Sequence, residues 1–190
     1  GEVFAAAGGT AVRIPGGELY TSLQTGVIDA LEWVGPYNDL AFGFHEVAKY
    51  YYYPGWHEPG SMVELIVNQQ SFEALPADLQ AIVTYAARAA NQDMLDEFTA
   101  RNNAALQELV KVHGVQLRRL PDEVLLALWR SSEEVMQQLV ASDPMAAKVY
   151  ASFKSFYDGA RAYHHISEQA YINARDVVMD SELEPPEPAP

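Results

Sequence analysis

Residues 26–39 read Gly26-Val27-Ile28-Asp29-Ala30-Leu31-Glu32-Trp33-Val34-Gly35-Pro36-Tyr37-Asn38-Asp39. An apolar run from Val27 to Trp33 ends at Gly35-Pro36, a pattern that predicts a strand giving way to a turn. Glu32 and Trp33 sit at that end. A second acid, Glu58, lies in Pro54-Gly55-Trp56-His57-Glu58-Pro59-Gly60, again where a strand-like run meets turn residues. In open α/β sheets, ligands bind outside the strand ends. A carboxylate beside an aromatic there can hold a hard cation or orient a small polar ligand. The plainer reading is a surface acid closing a strand, with Trp33 as a core anchor. Spacing alone favours the plainer reading.

Outward from this stretch, strands and helices interleave. A short helix is expected over 2–8 and a brief strand over 11–14. A helix over 18–25 has Gly26 as its C-cap. Tyr37–Phe44 reads as a short helix or loop. Strands are expected over 47–53, which holds four consecutive tyrosines, and over 62–68, read as buried. After residue 75 the pattern is helical. One helix is predicted over 76–113, with Val83, Ala87, Ala90, Met94, Phe98 and Leu106 mostly on one face. A strand over 115–120, a helix over 121–141 and a long helix over 144–176 follow. The tail, 177–190, ends in four prolines and three glutamates from Glu182 onward and is expected to be disordered. The fold class is α/β, with an α/β part over 1–75 and a mainly helical part over 76–176.

Composition narrows the function. With 190 residues, 49% of them hydrophobic, the chain is globular, and no apolar run is long enough to cross a membrane. A net charge of −14, from 26 acids against 12 bases, opposes binding to nucleic acid or to anionic lipid. It leaves room for an anionic ligand, because one local cation can dominate a site. Cysteine is absent, which removes disulfides, thiolate catalysis and zinc–thiolate sites.

Other candidates have dull explanations. Adjacent helical residues point about 100° apart, so His164-His165 reads as a polar helix face rather than a metal pair. His57 reads as a turn histidine, since no nucleophile is evident near it. His45 and His113 have no carboxylate at ligand spacing. Tyr50–Tyr53 reads as strand packing with alternate rings facing opposite ways, one or two of them reaching a cleft. The chain contains no G-x-G-x-x-G, P-loop, G-x-S-x-G or H-E-x-x-H motif. The reading is non-enzymatic.

The run Pro15-Gly16-Gly17-Glu18-x-Tyr20, Leu23-Gln24-x-Gly26-x-x-Asp29-Ala30-x-Glu32-Trp33, then Val34 to Asp39, resembles the solute-binding proteins of TRAP transporters (the DctP type). Lys49 to Gly60 is similar to the branch that binds 2-oxo acids and related carboxylates. The resemblance covers nearly all of 1–176. It implies a periplasmic receptor of type-II-like binding-protein fold, with two lobes, a cleft, lobe-spanning helices and a long C-terminal helix. It implies a small carboxylate ligand held through sodium or calcium, and TRAP membrane subunits as partners. Glu32 would ligate the cation through its carboxylate, Trp33 through its backbone carbonyl, and Glu58 as a further ligand. Trp33, Glu32, Tyr53 and Asn38 would line the ligand site.

Two-lobe receptors of this kind run to about 300 residues, so the chain is expected to be a C-terminal portion holding one part of a site. The family's ligand-binding arginine has no counterpart here, and Arg13 does not occupy its position. A homodimer through the C-terminal helix is also expected. The alternatives are a dimeric interaction module without ligand, or a cation-dependent enzyme acting on small carboxylates through Glu32 and Glu58.

Overall fold

The computed structural model describes residues 1–58, 60 and 63–183. Two compact units divide the chain, 1–129 and 130–190. The first holds α1 (Glu2–Ala6), α2 (Leu19–Gln24), α3 (Pro36–Ala41), β1 (Tyr50–Tyr53), α4 (Gln69–Glu73), α5 (Ala77–Lys111) and β2 (Gln116–Arg119). α6 (Asp122–Ser142) is continuous across the division, and α7 (Pro144–Ile166) and α8 (Glu168–Leu183) complete the second unit.

Local chemistry sets most of these limits. Pro36 opens α3 at a position where a missing N–H costs nothing. Gly43, at φ 73°, closes it in the left-handed region. The Asn68 side chain accepts from the Ser71 N–H at 3.0 Å to start α4. Asp143 does the same for Met145 (2.7 Å) and Ala146 (3.3 Å) at the head of α7, with Pro144 behind it. α5 runs 35 residues, about 50 Å at ~1.5 Å per residue. Val83, Ala87, Met94, Phe98 and Leu106 form its half-buried stripe, as predicted, whereas Ala90 is exposed. Ala105 and Leu109 are its buried residues.

β1 and β2 pair in parallel, from Tyr50 opposite Gln116 to Tyr53 opposite Arg119. This is the one sheet among the described residues. The strands expected over 11–14 and 27–33 do not form, because a ladder needs a neighbour and neither segment has one among the described residues. The buried strand expected over 62–68 is also corrected. Met62 lies outside the described residues, and Val63, Leu65, Ile66 and Val67 are exposed. The strand expected over 47–53 starts only at Tyr50, since Phe44–Glu46 takes a 3-10 turn first. The expected helix 144–176 breaks at Ser167, whose φ and ψ of −105° and −109° lie outside the helical region. Helix α8 then carries on through residues expected to be disordered, as far as Leu183. Residues 184–190 of the expected tail lie outside the described residues.

Around residues 14–44 the core is Leu19, Ile28 and Phe44, with Ile14, Leu23, Leu31 and Trp33 packed on it. α3 is fixed on α5 by several contacts. Tyr37 N–H donates to Asn102 Oδ1 at 3.0 Å, and the Tyr37 ring meets Phe98 edge-on at 6.0 Å. Arg101 covers the Tyr37 ring at 5.4 Å while pairing with Glu97 at 2.9 Å.

Candidate functional site

Two loops meet at one cluster. The first, Leu31–Gly35, runs out of the core and into α3. The core anchors it through Trp33, whose ring lies 5.1 Å from that of Phe42. Gly16 makes room for this ring, since a Cβ there would sit 2.8 Å from the indole. The second loop, Pro54–Glu58, follows β1. It turns back so tightly that a Cβ on Gly55 would lie 2.7 Å from the Glu58 carbonyl oxygen. Only glycine fits there without moving the loop.

The turn brings His57 and Glu58 against Glu32. His57 Nε2 lies 3.4 Å from a Glu58 oxygen and 3.8 Å from a Glu32 oxygen. One ligand atom from each of the three residues falls within 4.8 Å of the other two. The Trp56 and His57 rings lie 4.9 Å apart and tilted by 52°. All three side chains keep contact with solvent: 63% exposed for Glu32, 44% for Glu58 and 32% for His57. Partial burial raises the Glu32 carboxyl above its usual range, and the charges of Glu58 and Asp39 push the same way while His57 opposes them. At 63% exposure, solvent screens much of this push.

The donor chemistry fits a hard cation. Calcium and sodium take oxygen ligands, and two carboxylates supply them. The imidazole is a poorer partner for such an ion. Its Nε2 suits it better to bridging the carboxylates, which is how neighbouring groups orient metal ligands. Among the described residues, four buried polar atoms lack a hydrogen-bond partner: Trp33 Nε1, Asn38 Oδ1, Asp39 Oδ1 and His45 Nδ1. Three of the four belong to the segment that carries Glu32, an unusual concentration for groups that burial normally pairs.

Of the residues singled out in the sequence, Glu32 and Glu58 come together, and Trp33 is next to them by chain. Asn38 is half-buried on α3. Tyr53 ends β1 and is 44% exposed, and its carbonyl accepts from the Leu120 N–H at 2.7 Å. His57 lies on the turn, as expected, and also faces both acids; its adjacency to Glu58 is the one signal of this in the sequence. Asp39 and Tyr51 were not singled out. The Tyr51 hydroxyl donates to Asp39 Oδ2 at 2.5 Å, and Asp39 is only 9% exposed. Burial raises the Asp39 carboxyl above its usual value. The Tyr51 hydroxyl opposes this, as do the backbone N–H groups of Val34 and Gly35, although neither N–H makes a full hydrogen bond to Oδ1. Tyr51 is pushed well above its own range, first by burial and then by the Asp39 carboxylate. A separate pair, His45 and His113, has tilted rings 4.0 Å apart, and Glu108 lies 3.6 Å from His113, a carboxylate that sequence spacing did not place.

The profile of the bacterial extracellular solute-binding protein family 7 (DctP) matches residues 1–143. A monocarboxylate 2-oxoacid-binding periplasmic protein of Nostoc sp., all3028, is 35% identical over 173 residues, 91% of this chain and 47% of that protein. A TRAP periplasmic solute-binding protein from Colwellia psychrerythraea, solved with calcium and pyruvate, has 42% identity and a TM-score of 0.86. That match covers 92% of this chain and 53% of the other. One from Pseudoalteromonas atlantica T6c, solved with sodium and pyruvate, has 40% identity and a TM-score of 0.85, over 91% of this chain and 53% of the other. The chain thus spans about half the length of these relatives. It shares their periplasmic binding-protein fold, as the α/β reading expected, with helices dominating this portion. The chain belongs to the bacterial extracellular solute-binding protein family 7.

Proposed function

We propose that these residues form one part of a periplasmic receptor that takes up a small carboxylate of the 2-oxo acid kind and delivers it to TRAP membrane subunits. The observation that carries this reading is the meeting of Glu32 and Glu58 around His57, on two loops held by separate elements. Glu32 and Glu58 supply carboxylate oxygens to sodium or calcium, and the Trp33 backbone carbonyl supplies another. Bound there, the cation contributes a local positive charge that attracts a ligand carboxylate to a protein of net charge −14. Asn38 on α3 and Tyr53 at the end of β1 adjoin the two loops, and in this reading they line the ligand's side of the site. The calcium–pyruvate and sodium–pyruvate complexes of the similar structures support this choice of ion and ligand. The relatives are solute-binding proteins, which supports the reading of a receptor.

The experiment is calorimetry of pyruvate binding by the full-length protein. It is run first after dialysis against a chelator in sodium-free buffer, then with calcium or sodium restored. Binding is expected only with the cation. Equal affinity in its absence would reject the reading.

A second feature supports self-association. On α7 and α8, Val149, Phe153, Phe156, Tyr157, Tyr163, Ile166 and Tyr171 are between 46% and 78% exposed. So much apolar surface on one pair of helices is typical of a protein interface. The occupant proposed is a second copy of the chain.

A further inference from the structure

We infer that Asp39 and Tyr51 form a positioning clamp that sets the spacing of the two carboxylates, an inference that rests on the cation-site reading above. The carboxylates arrive on separate segments, and each segment runs directly into one half of the clamp. Glu32 leads through Val34-Gly35 into α3, which carries Asp39. Tyr51 lies in β1, which leads through Tyr53-Pro54 to His57 and Glu58. The Tyr51 hydroxyl bonds to Asp39 Oδ2 at 2.5 Å. Among the described residues this is the one hydrogen bond joining 32–41 to 50–58, apart from the contact of His57 with Glu32 at the site itself.

Both anchor points are stiff. α3 is fixed on α5 through Tyr37 and Asn102. β1 is fixed on β2 across four residue pairs. A hydrogen bond between two stiff elements sets their separation, whereas the exposed Glu32 and Glu58 side chains cannot set it themselves. Burying a carboxylate is costly, and Asp39 is 9% exposed with one oxygen unpaired. A residue kept for stability alone would be better apolar. Geometry at the neighbouring ligands gives the buried charge a use.

The test is calcium titration by calorimetry on the full-length protein, at a temperature well below the melting point of every variant. Tyr51→Phe and Asp39→Leu break the clamp, and each is expected to weaken calcium binding about tenfold, the usual effect of losing a partner behind a metal ligand. Asp39→Asn keeps an oxygen for the Tyr51 hydroxyl and is expected to stay within about twofold of the unsubstituted protein. Tyr20→Phe removes a comparable tyrosine–carboxylate bond, to Glu46 at 2.7 Å, that belongs to neither 32–41 nor 50–58, and should change stability without changing calcium affinity. If Tyr51→Phe binds calcium as well as the unsubstituted protein, the clamp is wrong while the cation site stands. If Asp39→Asn loses as much as Asp39→Leu, the carboxylate's charge and not its hydrogen bond matters, and the clamp is again wrong. If the unsubstituted protein binds no calcium, the site and the clamp fail together.

Discussion

Gly55 shows how one residue shapes the site. A methyl group on it would press on the Glu58 carbonyl from 2.7 Å, and backbone is not free to yield. Gly55→Ala is therefore expected to cost about 1–3 kcal/mol of stability, as overpacking generally does. It should also weaken calcium binding, because relief requires moving His57-Glu58. Denaturant unfolding and calorimetry on the same variant check both effects. Asp39 makes a prediction about pH. Its folded carboxyl titrates above the ordinary 3.8 because it is buried. A raised acid stabilises the folded state at pH below its unfolded value, and that contribution is lost as pH rises through the folded value. Near neutral pH the ionised group is a cost, so Asp39→Asn should melt higher than the unsubstituted protein near pH 7, with the advantage gone near pH 3. An equal gain at both pH values would show that charge burial is not the cause. Glu32 and Glu58 were legible only through the family resemblance of the residues around them, since the strand expected to end beside Glu32 does not form and spacing alone favours a surface acid. His57, Asp39 and Tyr51 were not, because their meaning comes from contacts between residues up to 25 positions apart. The alternation of the tyrosine run did hold a usable signal. Tyr50 and Tyr52 are exposed while Tyr51 turns inward.

Among the elements, those fixed by local chemistry were readable. α5 begins within one residue of its predicted start, after Pro76, and stops shortly before Gly114, whose φ is 69°. β2 falls inside 115–120. The strands expected over 27–33 and 62–68 failed for a physical reason. Apolar alternation shows that a segment wants a face to bury, but only a partner's N–H and C=O groups make it a strand. The break at Ser167 was equally hidden, because apolar periodicity is carried across it from Tyr163 to Tyr171. There the Ser167 hydroxyl lies 2.9 Å from the Tyr163 carbonyl and 2.6 Å from the Glu168 carboxylate. With one proton it can serve only one of them at a time. The end of α3 supports a prediction. Gly43 sits at φ 73°, where a side chain is strained. Gly43→Ala should lower stability by about 1 kcal/mol, measured by urea unfolding, with little effect on the slope of the transition.

On the scale of the whole molecule, seven apolar side chains are buried among the described residues, and many large ones are exposed, Ile66 at 86% and Phe156 at 77% among them. Each buried Å² of apolar surface contributes only about 25 cal/mol, so a chain of this size needs more burial than that to offset its conformational entropy. The homodimer proposed through α7 and α8 would supply part of it, and an interface of the usual size buries about 800 Å² per partner. Light scattering at micromolar concentration should return twice the chain mass, and Phe156→Glu should shift it toward monomer. A monodisperse monomer would remove the dimer from the account. Two carboxylates converging without a cation repel, so the ion and the ligand should depend on Glu32 together. Glu32 is 63% exposed, so its removal leaves the core intact. The deciding measurement is calorimetry of pyruvate into full-length Glu32→Ala, with and without calcium. Carboxylate affinity and calcium dependence are expected to disappear together. Unchanged affinity in Glu32→Ala would mean that Glu32 holds no cation for the ligand.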